Sequence, residues 1–337
     1  MPLAKSVLEG NRLSLSRLLT QVENDSPEGR AALVALFPHT GKAHLIGVTG
    51  APGTGKSSLV NQLALFYRKQ HASRKKVAII AVDPSSPFTG GAVLGDRVRM
   101  RDLSGDEGVF IRSMASRGSV GGLAQTTASF TQVFDAAGYD IIIIETVGAG
   151  QSEVDIARLA HTTVVVEAPG LGDDIQAIKA GILEIADVLV INKSDRPGVE
   201  NTERALRTAL GLAHPTKRGF RHHGRPMFID APETDSKIWI PPINKTIATD
   251  GTGIAEVAES IAKHAAHIRQ NGEWSLRDRA RLGSELESVL QAELMSQFFK
   301  KVQKEKYDEV LEKVIRRDLS PHEAIKILLN GNSDQEL

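Results

Sequence analysis

The stretch HLIGVTGAPGTGKSSLVNQLALFY, residues 44–67, decides the fold. Its first six residues form an apolar, partly β-branched run of strand length, and SSLVNQLALFY repeats its apolar residues at helical spacing. Between them GAPGTGKS, residues 50–57, matches GxxxxGKS. The glycines let backbone N–H groups turn inward around a phosphate, where the start of the following helix adds positive potential. The lysine of such a loop reaches the β- and γ-phosphates of a nucleoside triphosphate, and the serine hydroxyl ligates Mg²⁺. A chance glycine turn is a poor reading, because four fixed residue types coincide with a preceding strand and a following helix. The expected contacts are Gly50, Ala51, Pro52, Gly53, Thr54, Gly55, Lys56, Ser57 and Ser58.

Downstream the same alternation continues. The runs KVAIIAVDP, VFIRSM, YDIIIIETVG, TTVVVEAPG and VLVINKSD read as strands buried on both faces of a parallel sheet. Helical segments 57–70, 121–137, 151–160, 174–186 and 199–210 supply the crossovers. The expectation is an α/β fold, a doubly wound and mainly parallel sheet over residues 41–265. Residues 1–40 read as helices that pack on this domain, with Leu13, Leu15, Leu18 and Leu19 at helical spacing and a second segment from Glu28 to Leu36. Residues 266–337 read as a helical arm with an apolar stripe of Leu282, Leu286, Val289, Leu290, Leu294 and Phe298. Such a stripe packs on the domain or on a second copy. Ser320, Pro321 and Glu323 form a capping box for a last helix.

Composition narrows the function classes. The 41 basic and 41 acidic residues of the 337-residue chain cancel, so no global field draws it to nucleic acid or an anionic membrane. The absence of cysteine excludes disulfides, thiolate catalysis and cysteine-held metal, and suits a reducing cytoplasm. No run approaches the roughly 18–20 apolar residues needed to span a bilayer. The opening residues carry Lys5, Arg12, Arg17 and several serines, as a transit peptide does, but Glu9 and the leucine spacing favour an ordinary amphipathic helix.

NKSD, residues 192–195, follows the strand VLVI. The Asp195 carboxylate can accept from the N1–H and 2-amino donors of guanine, a pair that adenine lacks. Adenine would leave it unpaired, which supports discrimination of order 10⁴. Lys193 is expected against the base plane, and Asn192 is expected to tie this loop to the phosphate loop. Asp83, Asp96 and Glu145 stand where loops leave the C-terminal edge of the sheet, as expected for holding Mg²⁺ and water; any one alone could instead cap a helix. The loops 83–100 and 145–153 are the expected switches. Neither carries DxxG followed at once by glutamine, so slow intrinsic turnover and stimulation by a partner are expected. Gln151 and Glu153 read as first-turn residues of a helix.

The strings GVTGAPGTGKSSL, VDPSSPFTGGAVLGDRVRM, IRSMASRGSVGGLA, ETVGAGQSEVDIA and APGLGDDIQAIKAGILEIADVLVINKSD together closely resemble the MeaB/ArgK family of GTPases, over about residues 5–300. The resemblance implies a phosphate-loop pair in Lys56 and Ser57, an acidic magnesium and catalytic set in Asp83, Asp96 and Glu145, and guanine readers in Asn192, Lys193 and Asp195. It implies a third switch at APGLGDDIQAIK, whose Lys179 swings toward GTP when a partner binds; from the residues alone Lys179 is an exposed helix lysine. It further implies GTP/GDP and Mg²⁺ as cofactors, a homodimer through the C-terminal helices, and GTP-gated loading of adenosylcobalamin into an acyl-CoA mutase with removal of damaged cofactor. A cobalamin adenosyltransferase is a further partner by the same resemblance. The sequence departs from the family twice. A serine-alanine guanine loop appears here as Ile247, Ala248 and Thr249, and residues 214–240 match poorly, as an insertion or partner contact would; their adjacent histidines His222 and His223 read as solvated. Two rivals are a nickel-inserting metallochaperone GTPase, disfavoured by the lack of cysteine, and a kinase linked to amino-acid transport.

Overall fold

The structure, a computed structural model, describes residues 2–69, 74–84, 100–103, 105–116, 122–146, 152–170, 183–212, 219–222, 225–228 and 238–330. Its first strand, β1 (His44–Thr49), lies at the centre of a seven-stranded sheet. β2 (Val77–Pro84), β3 (Val109–Ser116) and β4 (Ile141–Glu145) stand to one side of it, and β5 (Thr162–Glu167), β6 (Val188–Ile191) and β9 (Ile243–Lys245) to the other. The order β3-β2-β4-β1-β5-β6-β9 is parallel throughout, as the continuous apolar runs require.

Alternation within those runs divides the core. Ile142 and Ile144 of β4 pack with Ala78, Ile80, Phe130 and Phe134 on one face. Ile141 and Ile143 pack with Val77, Ile79, Leu59 and Leu63 on the other, because successive strand side chains point to opposite sides. The second face is covered by α4 (Lys56–Lys69) and α8 (Ile254–Gln270). The first is covered by α5 (Gly122–Ala136) and α6 (Ser152–Leu159), with the N-terminal helices α1 (Pro2–Leu8), α2 (Arg12–Glu23) and α3 (Pro27–Leu36) outside them. The described residues of this N-terminal segment are mainly helical; Leu15, Leu18 and Leu19 are buried in the core on this face of the sheet, whereas Leu13 is exposed. Asn11 caps α2 through the Ser14 N–H at 2.9 Å, and Ser26 caps α3 through the Gly29 N–H at 3.0 Å.

The segment between α7 (Val199–Leu212) and β9, hard to match from sequence, contains a separate antiparallel pair, β7 (Gly219–His222) with β8 (Arg225–Phe228). The side chains of His222 and His223 lie outside the described residues.

At the N-terminal edge of the sheet a buried polar relay joins three strands to two helices. Asp187, fully buried ahead of β6, accepts from the Thr163 N–H at 2.8 Å and from both terminal nitrogens of Arg277 at 2.9 and 3.1 Å. His264 Nε2 of α8 faces the same carboxylate at 3.2 Å. Its Nδ1 then accepts from the Thr162 hydroxyl at 2.9 Å, which in turn accepts from His44 Nε2 at 2.8 Å. Beside it His161 Nδ1 accepts the Leu45 N–H at 3.0 Å and Nε2 donates to Asp278 at 3.0 Å. The Trp274 ring stacks on His161 at 3.8 Å.

Two compact units result, Met1–Arg281 and Leu282–Leu337. The sequence starts the helical arm at residue 266. The first unit instead continues to Arg281, because Trp274, Arg277 and Asp278, in the first turns of α9 (Glu273–Lys301), bond to the base of the sheet. In the second unit α10 (Lys304–Ile315) and α11 (Pro321–Asn330) enclose a small core of Val302, Val310, Ala324 and Leu328. The expected capping box is present: Ser320 Oγ accepts from the Glu323 N–H at 3.3 Å, and Glu323 accepts from the Ser320 N–H at 3.1 Å. No residue of α9 is buried, and Leu286, Leu290 and Leu294 are exposed. Among the described residues no helix is long and apolar enough to cross a membrane.

Candidate nucleotide site

The phosphate loop leaves β1 at the C-terminal edge of the sheet, between β4 and β5, where open α/β sheets hold ligands. Gly50 has φ +140°, and a Cβ there would lie 2.0 Å from the Val166 carbonyl oxygen of β5. Gly55 has φ +92°, and its Cβ would come within 2.4 Å of Asn192 Nδ2. Each glycine is thus required both by its backbone angle and by a neighbour.

Lys56, at the start of α4, is 6% exposed and curls back over the loop, donating to the Gly50 carbonyl at 2.8 Å and the Ala51 carbonyl at 3.0 Å. Thr54 braces the same turn by donating to the Ala51 carbonyl at 3.0 Å. Pro52 and Gly53 form the exposed crest, and Ser58 is exposed in the first turn of α4. Ser57 donates to Glu145 Oε1 at 2.5 Å. Glu145 is placed there by register, because β4 pairs with β1 so that Glu145 stands opposite Val48. The glycine loop, Lys56, Ser57 and Glu145 therefore converge.

The four residues after β6 close the other end. Asn192 N–H extends the ladder to the Glu167 carbonyl at 2.8 Å. Its side-chain Nδ2 donates to the Thr54 carbonyl at 2.8 Å, while Oδ1 accepts from the Thr246 hydroxyl at 3.1 Å and the Ala248 N–H at 3.0 Å. Lys193 adopts φ +57° and donates to the Gly53 carbonyl at 2.6 Å. The tie from Asn192 to the phosphate loop matches the sequence reading, and Lys193 makes a second one. Asp195 is exposed and makes no hydrogen bond to another described residue. In the loop after β9, Ile247 is half-buried, Ala248 buried and Thr249 exposed. The turn that follows is pinned by the Thr252 N–H donating to Asp250 at 2.9 Å, which holds the Asp250 carboxyl below its ordinary range. Thr246 is the residue that sequence reasoning missed. Its one prior signal was its position just ahead of the Ile247–Thr249 loop.

Asp83 sits near the end of β2, two residues beyond the pairing of Ala81 with Glu145, so its backbone lies at the same edge. Its side chain lies outside the described residues, as do Asp96, Lys179, Gln151 and the Glu153 side chain. The Ser57 hydroxyl and the Glu145 carboxylate are hard oxygen donors of the kind Mg²⁺ takes, and they fit that ion.

The chain matches the family model described as methylmalonyl Co-A mutase-associated GTPase MeaB over residues 15–303. A Pyrococcus horikoshii protein named as a GTPase is 41% identical over 329 residues, covering 97% of this chain and 96% of its own length. The mitochondrial methylmalonic aciduria type A homolog of Caenorhabditis elegans is 30% identical over 315 residues, 88% of this chain and 74% of that protein. A crystal structure of LAO/AO transport system kinase superposes with a TM-score of 0.68 at 26% identity, over 98% of this chain and 97% of that one. With a glycine loop bound through Asn192 to the NKSD loop, and a match spanning most of its length, the chain belongs to the MeaB family of methylmalonyl Co-A mutase-associated GTPases.

Proposed function

We propose that this GTPase serves as a chaperone for an adenosylcobalamin-dependent acyl-CoA mutase, coupling GTP binding and hydrolysis to cofactor loading and to removal of damaged cofactor. What supports the reading is the match to a mutase-associated family over residues 15–303, joined to a site in which Asn192 makes the phosphate loop and the base loop one body.

In this proposal the backbone N–H groups of residues 50–55, Pro52 excepted, cradle the β-phosphate and Lys56 turns from its loop carbonyls to the β- and γ-phosphates. Asp195 accepts from guanine, Lys193 flanks the base, and Ile247, Ala248 and Thr249 close around it. Ser57 and Glu145, with Asp83 and Asp96, would hold Mg²⁺, which would supply charge neutralisation to the triphosphate. Water attacks the γ-phosphorus, the bond to the β,γ-bridging oxygen breaks, and GDP leaves with phosphate. Positioning and charge stabilisation supply most of the acceleration. Lys179 completes the site when the mutase docks, so turnover without the partner is slow. The same proposal has the exposed leucines of α9 pair two copies into a homodimer and a cobalamin adenosyltransferase as a second client. It places the protein in the cytoplasm, with neither nucleic acid nor membrane as partner.

A pull-down from native extract tests this, with the protein held by a non-hydrolysable GTP analogue. Recovery of a cobalamin-containing mutase is expected. Recovery of only ribosomal or transport proteins would overturn the chaperone role while leaving the GTPase intact. The same site could pass the γ-phosphate to a protein hydroxyl, in keeping with the LAO/AO transport system kinase that the chain resembles. Transfer of label from GTP to an acceptor protein, in place of release as inorganic phosphate, would favour that second reading.

A further inference from the structure

Asn192 holds the nucleotide loops together, but a primary amide can present either end, and what fixes its orientation lies one step away. Its Oδ1 takes two donors, the Ala248 N–H at 3.0 Å and the Thr246 hydroxyl at 3.1 Å, which fill both lone pairs of the oxygen. A flipped amide would turn its NH₂ against two donors and its oxygen against the Thr54 carbonyl. The pair of donors therefore forces Nδ2 onto Thr54, in the phosphate loop, at 2.8 Å.

Of the two donors only Thr246 is a side chain that can be removed without touching the loop. It is 0% exposed, so it cannot itself meet a ligand. Its backbone is stitched to the same region from both sides: its N–H donates to the Ile191 carbonyl at 2.9 Å and its carbonyl accepts the Ser194 N–H at 3.0 Å. A hydroxyl so held has little freedom to point elsewhere. Gly55 shows how closely the amide is seated, since a Cβ at that position would fall 2.4 Å from Nδ2.

We propose that Thr246 is a positioning residue for nucleotide binding: its buried hydroxyl orients the Asn192 amide and so locks the phosphate loop to the guanine loop. Thr246 acts through Asn192 and touches neither the nucleotide nor the reacting atoms. The inference rests on the reading of residues 192–195 as part of the guanine-nucleotide site. It also gives a physical account of how the loop works without the serine expected at Ile247. The hydroxyl that matters to Asn192 comes from the preceding residue, and the neighbouring contribution is a backbone N–H that any side chain at 248 supplies.

The test is titration with a fluorescent GDP analogue in the presence of Mg²⁺, on the full chain and on Thr246→Val, Thr246→Ala, Thr246→Ser, Asn192→Ala and the Asn192→Ala/Thr246→Val double variant. Loss of one buried hydrogen bond predicts that the Val and Ala variants bind about ten-fold more weakly, while Ser restores affinity to within about two-fold of wild type. Because the effect runs through the amide, adding Thr246→Val to Asn192→Ala should change affinity by less than about two-fold, a coupling that general loosening of the fold would not give. Should Val destabilise the chain, Ala carries the same comparison. Wild-type affinity in both Val and Ala overturns the proposal, and so does a Thr246→Val penalty of full size in the Asn192→Ala background. If Asn192→Ala itself binds GDP as wild type does, the site reading fails with it; a weak Asn192→Ala beside unaffected Thr246 variants removes Thr246 alone.

Discussion

Gly50→Ala is the sharpest test of the phosphate loop. A Cβ at this position would stand 2.0 Å from the Val166 carbonyl oxygen, whereas Cβ contacts essentially never fall under 3.0 Å. The obstacle is backbone, and it cannot rotate away, because β5 is paired with β1 on one side and β6 on the other. The loop must retreat by about 1 Å, and misplacement on that scale in a positioned site costs about 100-fold. Positive φ adds about 1–2 kcal/mol of backbone strain for any L side chain. Gly105 separates the two effects, since it has φ +96° with nothing within 4 Å of its Cβ. Gly105→Ala therefore carries strain without a clash. Titration with fluorescent GDP and Mg²⁺ should show Gly50→Ala weakened about 100-fold and Gly105→Ala within about two-fold of wild type, with urea unfolding of Gly105→Ala lowered by about 1–2 kcal/mol and that of Gly50→Ala by more, because the clash adds to the strain. A Gly50→Ala protein with native circular dichroism and near-wild-type GDP affinity refutes the placement of the nucleotide against this loop.

Asp195→Asn should weaken GTP and improve xanthosine triphosphate, because xanthine replaces the 2-amino donor with a carbonyl that an amide N–H can meet; unchanged preference for guanine would remove Asp195 from the base site. Arg277→Leu leaves the fully buried Asp187 carboxylate without its bidentate partner and should cost about 3–5 kcal/mol of stability by urea unfolding, with a loss under about 1 kcal/mol contradicting the relay. Burial first, then the charges of His161 and Arg269, hold His44 well below the ordinary histidine value, and burial holds His161 down despite its hydrogen bond to Asp278. Unfolded histidines take up protons near 6.5 while these resist, so their stabilisation is complete above that pH and falls as pH drops through the lower folded values. For Asp278, burial opposes the charge but the hydrogen bonds from His161 and Arg281 outweigh it and hold the carboxyl at about 2, so its contribution is full above 3.8 and fades only as pH falls to about 2. The urea midpoint should drop as pH is lowered from about 7.5 to about 5.5; identical midpoints would contradict neutral imidazoles in the relay. Leu290→Glu, on the exposed leucine face of α9, should give a monomer by light scattering with GDP affinity unchanged, whereas a persisting dimer would place the interface elsewhere.

Much of the site was legible because its signals are local. GAPGTGKS sits between a strand and a helix, and both constraints act over a few residues of chain, so spacing alone identifies the turn. β4 reads as four isoleucines, and a parallel sheet buried on both faces asks for that. Ser320 and Glu323 announce their helix because a capping box closes over three residues. The hairpin β7–β8 was not legible: it is short and carries no pattern that separates it from a loop. Strand β9, three residues long, earned its place by pairing with β6 rather than by propensity.

The sequence by itself determined the glycine-rich loop after β1, the family of strands, the NKSD turn after β6 and the helical ends, all of which show in local motifs, backbone preference and side-chain period. Only the tertiary structure decided that Thr246 holds Asn192, that Glu145 faces Ser57 across 88 residues of chain, and that Asp187 gathers Arg277 and His264 at the base of the sheet. The physical reason is that a hydrogen bond between distant residues depends on strand order and register. These are set by burying the whole sheet at once, and no window of sequence carries that information.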